Sequence, residues 1–120
     1  MPNPVMHFEI GIKDSEASAA FYRELFGWQI HSTDPEYAVV DASDGGIGGG
    51  LMHTHGDMPT YVTFYVSVED LVTSLEHAVK LGGRALVQPT PIKGVGSFAL
   101  FTDLDGNVVG LLQPQQDATN

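Results

Sequence analysis

The order of elements written into this chain occurs twice, and that repetition narrows the folds open to it more than any other feature. VMHFEIGI (Val5 to Ile12) sets Phe8, Ile10 and Ile12 against His7, Glu9 and Gly11, the alternation of a half-buried strand. Asp14-Ser15-Glu16 then supplies the cap and first-turn acid of a helix that Gly27 ends. Its apolar side is Ala19, Phe21, Tyr22, Leu25 and Phe26. Three short strands follow, WQIHS, YAVVD and IGGGLMH, divided by Asp-Pro and Ser-Asp-Gly-Gly turn chemistry. The series then restarts. YVTFYVSV (Tyr61 to Val68) is a strand, EDLVTSLEHAVKLGG a helix, and RALVQPT, SFALFTD and NVVGLLQ are three strands. The helical spans Asp14 to Gly27 and Glu69 to Gly82 are equally long, and the last strands match as GGLMH against VGLLQ. A period near half the chain marks an internal duplication. The expectation is one α+β domain over 1–120, with module one at 1–55, module two at 56–115 and a short tail at 116–120. The HTHGDMP segment (His53 to Pro59) links the modules.

Composition removes several function classes. With 42% hydrophobic and 17% charged residues, the 120-residue chain can bury a real core. Five basic against 15 acidic residues give a formal net charge of −10. Such a chain repels phosphate backbones and anionic lipid, so neither nucleic acid nor a membrane is expected as a partner. The absence of cysteine excludes disulfides, thiolate metal sites and cysteine nucleophiles. MPNPVMHFEI shows no leader pattern and no apolar run reaches membrane-spanning length, so a cytoplasmic protein is expected.

The succession of a first strand, "D…S…FY…LFGW", a glycine-rich strand, "VEDL…A…LGG" and "F.DLDGN" resembles the vicinal oxygen chelate superfamily. Glyoxalase I, extradiol dioxygenases, and bleomycin and fosfomycin resistance proteins are its members. The resemblance runs from about Val5 to Gln113. It implies two βαβββ modules whose strands form an incomplete curled barrel around a cleft, helices outside, and a homodimer. It also implies a metal held by the first and last strands of each module, positions that fall here on His7, Gly50, Thr63 and Gly110. Only His7 can ligate as the family does. Glycine offers no side chain, and a threonine hydroxyl is a poor ligand for Zn²⁺, Ni²⁺ or Fe²⁺. No metal, no cofactor and no glyoxalase I activity are therefore expected.

The remaining candidates concern a ligand. His7 and Glu9 share a strand face and are the candidate catalytic pair, able to orient a ligand or share a proton. Gly50 and Gly110, where carboxylates would sit, are expected to widen a cavity; the bland alternative is that they relieve packing. Thr63, Tyr65, Met52 and Leu112 share strand parity with them, and Trp28 is a candidate stacking platform. Lys93 to Gly96 is either a lip over the cleft or a plain turn. His53 and His55 would share a strand face, and Asp57 could add an oxygen to an atypical metal site. Two functions stay open. One is a metal-independent protein that binds a small hydrophobic or aromatic molecule. The other is a lyase, isomerase or dioxygenase-type enzyme using His7 and Glu9 or an atypical metal.

Overall fold

Two strand–helix–strand–strand–strand series are present in the computed structural model, which describes residues 2–115; the tail assigned to 116–120 lies outside the described residues. The first comprises β1 (Val5–Ile12), α1 (Ser15–Phe26), β2 (Ile30–Asp34), β3 (Tyr37–Val40) and β4 (Gly48–His53). The second comprises β5 (Tyr61–Ser67), α2 (Leu71–Lys80), β6 (Arg84–Ile92), β7 (Gly96–Thr102) and β8 (Val108–Pro114). Every expected element is present, within two residues at nearly every end. By contacts the chain forms two compact units. One is Met6–Thr63; the other runs from Phe64 and includes the residues up to Val5.

Within Met6–Thr63 the strand order is β2-β3-β4-β1. The β2/β3 and β3/β4 pairs are antiparallel, and β1 lies parallel to β4 with His7 opposite Gly48, Glu9 opposite Gly50 and Gly11 opposite Met52. The helix α1 provides the parallel crossover. The Asp14 side chain accepts the Ala17 N–H at 3.0 Å, and Gly27 ends the helix in the left-handed conformation at φ 70°. Ile12, Ala19, Ile30, Val40 and Leu51 form the core, with Phe8, Ile10, Tyr22 and Trp28 packed on it. The even positions of β1 thus face the helix, as its alternation requires.

One expectation about α1 fails. Ala19 is buried and Tyr22 half-buried, but Phe21, Leu25 and Phe26 are 59, 58 and 56% exposed. The core stripe of a helix is narrower than the apolar set written into this one.

The other unit repeats the topology as β5-β8-β7-β6, with β5 parallel to β8 and the remaining pairs antiparallel. Val68, Leu71, Leu75, Ala99 and Leu111 form its core. The Asp70 side chain caps α2 through the Thr73 N–H at 3.1 Å. The turn in FTDLDGN is held by Asp103, which accepts from the Asp105 N–H, the Asn107 N–H and Asn107 Nδ2, with Gly106 at φ 89°. Those hydrogen bonds, the Asn107 side chain foremost, lower the Asp103 pKa. The Lys93 to Gly96 segment is a closed hairpin turn, with the Val95 N–H donating to Ile92 O at 3.0 Å.

Candidate functional site

The odd positions of β1 point away from α1, and a polar cluster is built there from His7 and Glu9. Glu9 is 7% exposed. The Tyr61 hydroxyl donates to Glu9 Oε2 at 2.7 Å and the Tyr37 hydroxyl to Glu9 Oε1 at 3.3 Å. With its proton given to Glu9, Tyr37 Oη accepts from His7 Nε2 at 2.8 Å, which puts the imidazole proton on Nε2. Burial lowers the His7 pKa and favours the neutral ring, while the nearby Glu9 charge opposes the shift.

Glycines make this cluster possible. Tyr37 stands opposite Met52, and its ring lies diagonally over Gly50. A Cβ at Gly50 would come within 2.6 Å of Tyr37 Cε2 and closer still to the hydroxyl. A Cβ at Gly11 would strike the Tyr61 ring in the same way. Each glycine is a bed on which a tyrosine lies flat enough to reach Glu9.

This corrects the expected cavity. The space above Gly50 is filled by Tyr37, and in the other unit the space above Gly110 is filled by Tyr65, whose Cγ would lie 2.8 Å from an added Cβ. The packing alternative describes both positions. The same observation tests the family's metal centre. Where the second ligand would project stands a tyrosine phenol, so His7, Gly50, Thr63 and Gly110 do not fit that group.

The sequence-derived candidates fall into separate groups. His7, Glu9, Gly50 and Met52 share one face of the β4–β1 ladder, and buried Thr63 shares the strand parity of Tyr61. Tyr65, Gly110 and Leu112 are buried within the other unit, where the Tyr65 ring is 6.4 Å from that of Phe98. Trp28 is not with His7 and Glu9. It packs against Phe8, Tyr22 and Phe26 at 5.2, 5.2 and 5.0 Å between ring centroids, on the helix side of the strands. A depression of about 680 Å³ in the other unit is lined by Pro4, Val68, Glu69 and Gln113 among others. It contains none of the candidates.

Two residues of the cluster were missed. Tyr61 has the parity of Thr63 and Tyr65, so extending that pattern by one step would have found it. Tyr37 is visible only through the β3–β4 register. At the end of β4, His53 and His55 do share a side, with ring centroids 4.3 Å apart, but their carboxylate neighbour is Glu36 and not Asp57.

This fold is that of the glyoxalase-like proteins, and comparison with known sequences agrees. The bleomycin resistance protein-like N-terminal model matches residues 5–43. A glyoxylase-like domain-containing protein of Didymella fabae is 30% identical over 110 residues, spanning 82% of this chain and 84% of that protein. The chain belongs to the glyoxalase and bleomycin-resistance-like family of the vicinal oxygen chelate superfamily. The anthracycline biosynthesis protein DnrV of Streptomyces peucetius is 27% identical over 124 residues, 88% of this chain but 45% of DnrV. This chain spans less than half the length of several such relatives. A variant of Streptomyces coelicolor methylmalonyl-CoA epimerase, in complex with 2-nitronate-propionyl-CoA, superposes over all of both chains with a TM-score of 0.74 at 17% identity. That likeness is one of fold. Among the described residues no helix is long and apolar enough to cross a membrane.

Proposed function

We propose that this protein binds a small, hydroxylated aromatic or hydrophobic molecule at the His7–Glu9–Tyr37–Tyr61 face, without a metal. One observation carries the reading: a nearly buried carboxylate held between two tyrosine hydroxyls, next to a histidine biased towards its neutral form. Burying a carboxylate costs free energy, and perturbed titratable groups gather at functional sites. The tyrosine rings, each with one face laid against its glycine, give an aromatic ligand a surface to pack on, and their hydroxyl oxygens can orient it. The relative named for anthracycline biosynthesis and the neighbours holding CoA esters support a small-molecule role. The proposal includes a cytoplasmic homodimer, supported by the exposed Phe21, Leu25 and Phe26 on α1. A thermal-shift screen of hydroxylated aromatic compounds tests the reading, since a ligand of the native state raises Tm. For a compound that does so, His7→Ala should weaken binding by about 1–3 kcal/mol. Binding unchanged in both His7→Ala and Glu9→Gln contradicts the assignment.

A second reading gives the same residues acid–base work, as in a lyase or isomerase. It is favoured by the continuous hydrogen-bonded path from His7 through Tyr37 and Glu9 to Tyr61. A bound compound that exchanges a carbon-bound proton in D₂O, and stops doing so in His7→Ala, supports it. No exchange leaves binding as the function.

A further inference from the structure

Glu36, His53 and His55 form a second constellation, on the strand ends away from the family's ligand positions. Its geometry follows from backbone pairing. The β3–β4 ladder sets Tyr37 opposite Met52, and one step beyond it the His53 N–H donates to Glu36 O at 2.8 Å. Glu36 is thereby fixed beside His53, although sixteen residues of chain lie between them. Thr54, 2% exposed, is anchored inward on Ile12 O by its N–H at 2.8 Å and its hydroxyl at 3.1 Å. Because side chains alternate along extended chain, burying Thr54 turns His53 and His55 outward together. Lys13 Nζ donates to Gly56 O at 3.3 Å and to Met58 O, tying down the chain that follows.

The donor atoms converge. His53 Nδ1 is 3.8 Å from Glu36 Oε1, His55 Nε2 is bonded to the same oxygen, and one donor atom from each residue lies within 4.8 Å of the others. The imidazoles meet at 75° rather than stacked. A tetrahedral ion with bonds of about 2.0–2.1 Å to nitrogen holds its ligand atoms about 3.3 Å apart. The wider donor pairs must close by at most about 1.5 Å and the bonded His55–Glu36 pair must open, through side chains that are partly or fully exposed and able to turn.

We propose that Glu36, His53 and His55 form a binding site for one borderline divalent transition-metal ion such as Zn²⁺ or Ni²⁺. Two imidazoles and one carboxylate select such ions over Mg²⁺ and Ca²⁺, which take oxygen ligands. Three protein ligands leave a coordination position for water or a further donor. The net charge of −10 raises the local concentration of any cation. The ion takes the place of the hydrogen bond between His55 Nε2 and Glu36 Oε1, the neutral His55 ring then carrying its proton on Nδ1. The site uses none of His7, Gly50, Thr63 or Gly110 and is independent of the ligand reading above.

Isothermal titration of the chelator-treated full chain with Zn²⁺, and separately with Ni²⁺, tests the proposal. The expected result is saturable binding of one ion per chain. His53→Ala, His55→Ala and Glu36→Gln should each weaken it beyond the ~10-fold at which outer-shell changes begin. His31→Ala is the control. It removes an exposed histidine 2.7 Å from Asp41, a hydrogen-bonded histidine–carboxylate pair with no second histidine beside it, and should leave binding unchanged. Circular dichroism confirms that each variant is folded, and a Zn²⁺-induced rise in Tm should vanish in His55→Ala while the metal-free Tm stays. The proposal is overturned by no saturable binding, by equal losses in His31→Ala and His55→Ala, or by binding that survives all three ligand substitutions.

Discussion

Gly50→Ala changes one hydrogen for a methyl group, and its effect on stability should reverse sign according to what occupies residue 37. In the native chain the new Cβ would lie within 2.6 Å of Tyr37 Cε2, with the hydroxyl nearer still, so the ring must leave its bed on β4. Two hydrogen bonds go with it. The bond from His7 to Tyr37 is worth about 1 kcal/mol, and the longer one from Tyr37 to the Glu9 carboxylate about 1.5 kcal/mol. Against this, replacing glycine by alanine in a strand recovers roughly 0.5–1 kcal/mol of backbone entropy. The net expectation is a loss of about 2 kcal/mol. In a Tyr37→Ala background there is no ring to displace, and the same substitution should stabilise by roughly 0.5–1 kcal/mol. The coupling between positions 37 and 50 should therefore be about 2–3 kcal/mol, large for one pair. Urea unfolding of the four proteins, with equal m-values, measures it. Equal effects of Gly50→Ala in both backgrounds would refute the claim that this glycine exists to seat the tyrosine.

Further outcomes follow from the same geometry. Because burial holds the His7 pKa below its ordinary value, the unfolded chain takes up a proton first as pH falls below about 6.5. His7 therefore costs stability increasingly from there down to its folded pKa, the full cost persists below that, and it contributes nothing above. His7→Gln, facing the same Glu9, Tyr37 and Tyr61, should show a shallower loss between pH 7.5 and 5.5 in urea unfolding. Tyr61→Phe removes a 2.7 Å bond to a nearly buried carboxylate and should destabilise by about 1.5–3 kcal/mol, against near neutrality for Tyr22→Phe on the helix side. Light scattering should give a dimer mass that Phe21→Glu with Leu25→Glu converts to a monomer; a native monomer at micromolar concentration would contradict the dimer. Gly110→Leu should destabilise by about 1–3 kcal/mol, because the Tyr65 ring occupies the space it needs.

The architecture was legible because each level of the sequence pointed the same way. Asp14 and Asp70 cap the helices, Gly27 and Gly82 take the left-handed conformations that end them, and the apolar residues Phe8, Ile10 and Ile12 alternate along β1. The site was legible only in part. His7 and Glu9 declare themselves by parity on one strand. Their partners come from residue separations of 30 for His7 and Tyr37 and 52 for Glu9 and Tyr61, set by sheet register rather than by any local signal. The glycines misled for a physical reason. A missing side chain reads as empty space in one dimension, while in the sheet a neighbouring strand's ring lies over it. Trp28 misled likewise, since a bulky residue just past a helix has no local sign of which side of the sheet it will join. Glu36 replaced Asp57 beside the histidines because backbone pairing, and not closeness in sequence, chose the neighbour.

The central claim is that the His7–Glu9 face, with its two tyrosines, is where a ligand sits. The most direct measurement is a two-dimensional NMR titration of uniformly ¹³C,¹⁵N-labelled protein with a compound that raises Tm. The account predicts saturable shifts of the Tyr37 and Tyr61 ring signals and of His7, with Trp28 unmoved. Saturable shifts confined to Trp28 or the Lys93 to Gly96 turn, with Tyr37 and Tyr61 unaffected, would contradict it.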